Sequence, residues 1–123
     1  LDIKEETNMA IRTKVSDGKS VKVVANKDYN DGDFAVVNGF HGFVIGNALN
    51  GDNMVINIEQ AEYEFSEEGL TAQVGDLITY TSAGKFQVAA AASEGVPADP
   101  AYLRVTEKSD ANGVTWGILL PQG

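Results

Sequence analysis

Apolar and polar residues alternate along most of this chain with a period of two, the signature of strands whose successive side chains point to opposite faces. In Ser20-Val21-Lys22-Val23-Val24-Ala25, Val21 and Val23 fall on one face and Lys22 on the other. Phe34-Ala35-Val36-Val37 and Phe43-Val44-Ile45 flank Asn38-Gly39, a dipeptide suited to the positive φ angles of a type I′ hairpin turn. Residues 54–65 read as one long strand signal whose phase changes midway. Ile56 and Ile58 share one parity, whereas Ala61, Tyr63 and Phe65 share the other. A one-residue bulge near Glu59-Gln60, or a passage from one sheet to another, reconciles the two phases. Residues 77–81 and 85–89 bracket Ser82-Ala83-Gly84, a short hairpin loop, and residues 102–107 and 114–120 bracket a longer turn ending in Asn112-Gly113. In the last of these runs Val114, Trp116, Ile118 and Leu120 share a face. No segment carries a sustained helical stripe. Residues 89–92 admit a helical turn, which Pro97 and Pro100 keep short.

The expected fold is all-β, a small antiparallel β-barrel or sandwich of short strands. Val21, Val23, Leu103, Val105, Trp116 and Ile118 are its expected core, with a ligand-stacking platform the lesser reading of Trp116. Residues 15–123 read as a single β domain, preceded by an N-terminal arm over residues 1–14 that is mobile in isolation. Met9-Ala10 reads as a natural start, so residues 1–8 are either a processed remnant or follow a gene start further upstream. One internal echo recurs: Gly32-Asp33, Gly51-Asp52 and Gly75-Asp76 each precede an apolar run. Glycine supplies the positive φ of a turn, and the aspartate accepts hydrogen bonds from nearby backbone amides to fix the strand entry. The spacing is too uneven for a solenoid or propeller.

Charge narrows the partners. Nine Lys/Arg stand against eighteen Asp/Glu, a net charge of −9 with a pI near 4.4. The arm is neutral, so the body carries the whole excess. Such a body repels phosphate backbones and anionic lipid, and neither nucleic acid nor membrane is expected as a partner. No apolar run approaches the roughly 20 residues of a membrane span, and none near the N-terminus reads as a signal peptide. The absence of cysteine removes disulfides, thiolate metal sites and cysteine nucleophiles together.

The candidate chemistry is sparse. His41 is the chain's one histidine, and no nucleophile motif accompanies it, so a hairpin or surface role is expected. Glu62 and Glu64 lie two residues apart on one strand face, a spacing open to paired-carboxylate hydrolysis. Tyr63 and Phe65 on the other parity make them instead the wet face of an ordinary strand. Asp28, Asp31 and Asp33 cluster in a loop whose oxygens suit calcium, but the glycine and the twelfth position do not match the EF-hand template. A solvated turn is the favoured reading, with no metal and no cofactor expected. Phosphate-cradling and dinucleotide glycine motifs are absent. The chain is not expected to be an enzyme.

The order of segments resembles a known family. Met9-Ala10 and residues 15–25 look like its first strand segment, followed by Asp31-Gly32-Asp33, then Gly42-Phe43-Val44-Ile45-Gly46. Gly51-Asp52 leads toward Tyr63-Glu64-Phe65. Val74-Gly75-Asp76-Leu77-Ile78-Thr79-Tyr80, with Ala83-Gly84-Lys85-Phe86, is the most distinctive block, and a strand-turn-strand over residues 102–120 closes the pattern. Over about residues 9–120 this is similar to small tailed-phage proteins, long grouped as a domain of unknown function, that act as capsid decoration (cement) or head-fibre-base proteins. The resemblance implies a virion protein on the capsid exterior that binds the major capsid protein and stabilises the head, and it admits a homotrimer. Met9, Ile11 and Arg12 of the arm are the expected capsid-docking residues. The alternative is a receptor- or glycan-binding β module on a phage head or tail, using Tyr29, Phe40 and Phe43 as exposed aromatics.

Overall fold

A computed structural model of the chain describes residues 16–122, and every regular element among them is a strand. β1 (Ser20–Val24), β2 (Phe34–Val37), β3 (Phe40–Ile45) and β4 (Asn53–Asn57) form one antiparallel sheet in the order β1-β4-β3-β2. This is a Greek-key order: β2, β3 and β4 follow one another, and β1 lies beside β4. β5 (Glu62–Ser66), β6 (Leu77–Tyr80), β7 (Phe86–Val88), β8 (Leu103–Glu107) and β9 (Val114–Leu119) form a second antiparallel sheet in the order β5-β9-β8-β6-β7. The two sheets make a sandwich and do not close into a barrel. The run at residues 54–65 is thus two strands in different sheets, and the phase change marks the passage between them.

Local turn chemistry sets most strand entries. Asn38 and Gly39 take φ values of 52° and 85°, both positive as a type I′ turn requires, and close the β2–β3 hairpin. The three Gly-Asp pairs build one turn three times. Asp33, Asp52 and Asp76 donate their N–H groups to the carbonyls of Asn30, Leu49 and Gln73 at 3.0, 2.9 and 3.0 Å. Their carboxylates accept the N–H groups of the same three residues in return, at 2.8, 3.1 and 2.9 Å. The intervening glycines sit at φ near +90°, a region that side chains disfavour. Each turn opens directly into β2, β4 or β6.

Hydrophobic burial falls into two clusters. Val23, Ala35, Val37, Val44, Met54 and Ile56 line one face of the first sheet, closed by Ala25, Tyr29 and Ala48 from its loops, with Val21 half-buried beside them. The second cluster joins Phe65, Leu70, Ala72, Ile78, Leu103, Val105 and Leu119 to Phe34, which reaches in from β2 of the other sheet. Phe34 lies 5.0–5.8 Å, ring centre to ring centre, from Tyr80, Phe86 and Tyr102 of the second-sheet segments. Phe43 stacks on Tyr63 at 4.6 Å. These aromatic contacts are where the sheets meet.

Two expectations need correction. Val23, Leu103 and Val105 are buried, but Trp116 and Ile118 are 43% and 41% exposed. Thr115, Gly117 and Leu119 form the inner side of β9 instead. The cause is crowding: a Cβ on Gly117 would stand 3.2 Å from Phe65 Cε1 and 3.0 Å from the Arg104 carbonyl oxygen. The inner parity of β9 is kept slim there, and the indole takes the outside. Residues 89–92 form no helical turn; Asp99 instead pairs with the Ala90 backbone, accepting its N–H at 2.8 Å and donating back at 3.0 Å.

Candidate docking surface

The outer face of the second sheet is built by β5, β9 and β8. Trp116 stands opposite Glu64 on β5 and opposite Glu107 on β8, while Ile118 stands between Glu62 and Arg104. The indole Nε1–H donates to Glu64 Oε1 at 3.0 Å. The Thr106 hydroxyl donates to Glu62 Oε2, and Arg104 Nη1 donates to the Gly75 carbonyl at 2.9 Å. A register shift between Val105 and Glu107 makes a β-bulge at this point. The result is a sheet surface with an exposed ring and an exposed aliphatic chain set among carboxylates.

The first sheet carries a second apolar area. Register places Val55 between Lys22 and Ile45, with Val24 one step further along β1. Val24 and Ile45 are 53% and 52% exposed, and Val55 is open as well. Their parity is that of Phe34 and Phe43, which pack onto the second sheet, so this strip is the part of that face left uncovered.

The structure disperses the other candidates. His41 is buried, and its Nε2 lies 3.0 Å from the Leu120 carbonyl oxygen. Its backbone N–H donates to Gln122 Oε1 at 2.8 Å and its carbonyl accepts from Gln122 Nε2 at 2.7 Å. Burial pushes the imidazole below its ordinary pKa near 6.5, partly offset by the Leu120 bond. Glu62 and Glu64 do share a solvent-facing strand face, each engaged by a neighbour. Asp28 Oδ1 accepts the Asn50 N–H at 2.9 Å, Asp31 Oδ1 that of Gly46 at 2.6 Å, and Asp33 caps its own turn. Among the described residues no three acidic or histidine side chains gather as a metal cluster. Tyr29 is buried, Phe40 packs on the first cluster and Phe43 on the second, so these three do not make an exposed aromatic groove. Met9, Ile11 and Arg12 lie outside the described residues.

Alternation with Val114 and Leu120 points Trp116 and Ile118 to the core, and the sequence does hold a signal against this. Glu62 and Glu64 mark the wet face of β5, and any pairing that sets Glu64 beside Trp116 puts the indole on that face too. That pairing spans some fifty residues, which alternation within one strand does not report.

No protein-family model matches the chain, and no curated protein does. Among solved structures, the chain is similar to the head fiber gp8.5 N base of bacteriophage phi29, with a TM-score of 0.46 and 11% identity. The match covers 84% of this chain and 94% of that one.

Proposed function

We propose that the chain is a non-catalytic structural protein of a tailed-phage head, binding the major capsid protein on the outer surface and stabilising the capsid. The observation that carries this reading is the form of its exposed apolar surface. Trp116 and Ile118 on one sheet and Val24, Ile45 and Val55 on the other lie on strand faces, which suit contact with a second protein surface. The phage assignment rests on the segment order that resembles the decoration and head-fibre-base family, in which the repeated Gly-Asp pairs each form one turn and launch a strand. In this reading the two-sheet body, with its net charge of −9, bridges neighbouring subunits against the pressure of packaged genome.

The test uses undecorated heads assembled from the major capsid protein encoded in the same phage genome. Mixed with the purified chain and sedimented, they are expected to carry it into the pellet, to show new density on the outer surface by electron microscopy, and to rupture at a higher temperature. A chain that stays in the supernatant at micromolar concentration overturns the reading.

A further inference from the structure

Resting on the reading of the chain as a protein that docks on the head, the geometry points to the outer face of the second sheet as the docking surface, and to a lysine- or arginine-bearing segment of the partner protein as its occupant. Trp116 is the chain's one tryptophan, and it stands 43% exposed in the middle of a sheet. Its single polar atom already donates to Glu64, so what it offers a partner is ring surface. A ring face attracts cations through its quadrupole, and tryptophan does so best.

Strand register then sets carboxylates on both sides of that ring. Glu64 lies directly opposite on β5 and Glu107 directly opposite on β8. The second placement depends on the bulge. Regular pairing from Val105 and Gly117 would bring Thr106 opposite Trp116; the extra residue brings Glu107 there instead. Thr106 turns its hydroxyl to Glu62, which completes an acidic border around Trp116 and Ile118. Arg104 also lies on this face, and it directs Nη1 to the Gly75 carbonyl. Among the described residues no ion pair engages Glu62, Glu64 or Glu107.

Donor and acceptor balance selects the occupant. The three glutamates supply acceptors and no donors, whereas a lysine or arginine head supplies donors and no acceptors. A sugar hydroxyl can donate to these acceptors too, but it brings no charge to offset theirs. A cationic side chain laid across this face rests its methylene stem on Ile118 and its charge over Trp116, between Glu64 and Glu107. The net charge of −9 favours approach of the same kind of partner from a distance.

The experiment compares wild type with W116A, W116F and the double variant E64Q/E107Q in the head-sedimentation assay, with tryptophan emission and salt dependence as second readouts. The expected result is a loss of at least tenfold in affinity for W116A and for E64Q/E107Q, with W116F between. Wild-type emission is expected to change on binding, and its affinity to fall as salt rises from 50 to 300 mM. If wild type binds heads and the variants bind equally well, this inference is overturned while the capsid reading stands. If wild type does not bind heads, the capsid reading fails, and octalysine added to the chain alone decides the site. A saturable, salt-sensitive change in Trp116 emission that E64Q/E107Q abolishes supports it, and no change overturns it. A change produced by neutral oligosaccharides such as cellohexaose and chitohexaose, but not by octalysine, also overturns it and makes this face a glycan platform.

Discussion

Gly117 and Trp116 are neighbours on β9 with opposite requirements. The position occupied by Gly117 faces the Phe65 ring and the Arg104 carbonyl so closely that a Cβ is already tight. Trp116 faces outward, where its ring is held by one hydrogen bond to Glu64. A large side chain is therefore tolerated at one position and penalised at the next. G117V is expected to lower unfolding free energy by about 1–3 kcal/mol, the usual cost of overpacking. W116A is expected to cost about 1 kcal/mol or less, as for an exposed side chain, rather than the roughly 3–5 kcal/mol of a truncated core aromatic. Urea titration of the two variants measures both; a W116A loss exceeding that of G117V would return the indole to the core and reverse the strand phase. Alternation along the strand separates the two faces correctly. It does not say which is inside, because that depends on Phe65, a residue of another strand.

At the level of elements, the legible features are those written in contiguous residues. Asn38-Gly39 and the three Gly-Asp turns contain their own donors, acceptors and positive φ positions, so short peptides suffice to specify them. The strands between them follow from alternation, but the phase change after Ile58 admits a bulge as well as a passage between sheets, and the structure has the passage. What alternation misses is pairing between distant strands. β5 pairs with β9, and the bulge that puts Glu107 opposite Trp116 exists only within the β8–β9 pair. The double burial of β2 has the same origin: Ala35 and Val37 face one cluster, and Phe34 faces the other. The turn chemistry is directly testable. D76A removes the carboxylate that accepts the Gln73 N–H, and is expected to cost about 1 kcal/mol, as for the loss of a capping side chain. D76N retains an acceptor oxygen and should recover most of that loss. Equal stability of D76A and wild type in urea would show that the backbone bond from Asp76 to Gln73 holds the turn unaided.

On the scale of the whole molecule, the sheets are joined by aromatic contacts centred on Phe34 and by a polar latch at His41. The latch links β3 of the first sheet to the segment after β9 of the second, through Leu120 and Gln122. The imidazole ring also lies 4.9 Å from the Tyr102 ring. A neutral imidazole with its proton on Nε2 satisfies the Leu120 carbonyl, whereas the charged form must be desolvated in the same place. Its folded-state pKa is accordingly below the ordinary value near 6.5. The unfolded chain then binds more protons than the folded one between those two values, so stability rises with pH across that interval. The contribution is fully present above about pH 7 and is lost as pH falls through 6.5 toward the folded value, below which it levels off. The excess of carboxylates acts in the other direction, since protonating them at lower pH relieves self-repulsion in a chain of net charge −9. H41Q separates the two effects, because its side-chain amide can donate toward Leu120 and does not titrate. Urea unfolding of wild type and H41Q between pH 5.0 and 7.5 is expected to give curves that diverge, with wild type losing stability relative to H41Q as the pH falls. Parallel curves would mean that His41 titrates alike in the folded and unfolded chains, and that the latch is indifferent to its charge.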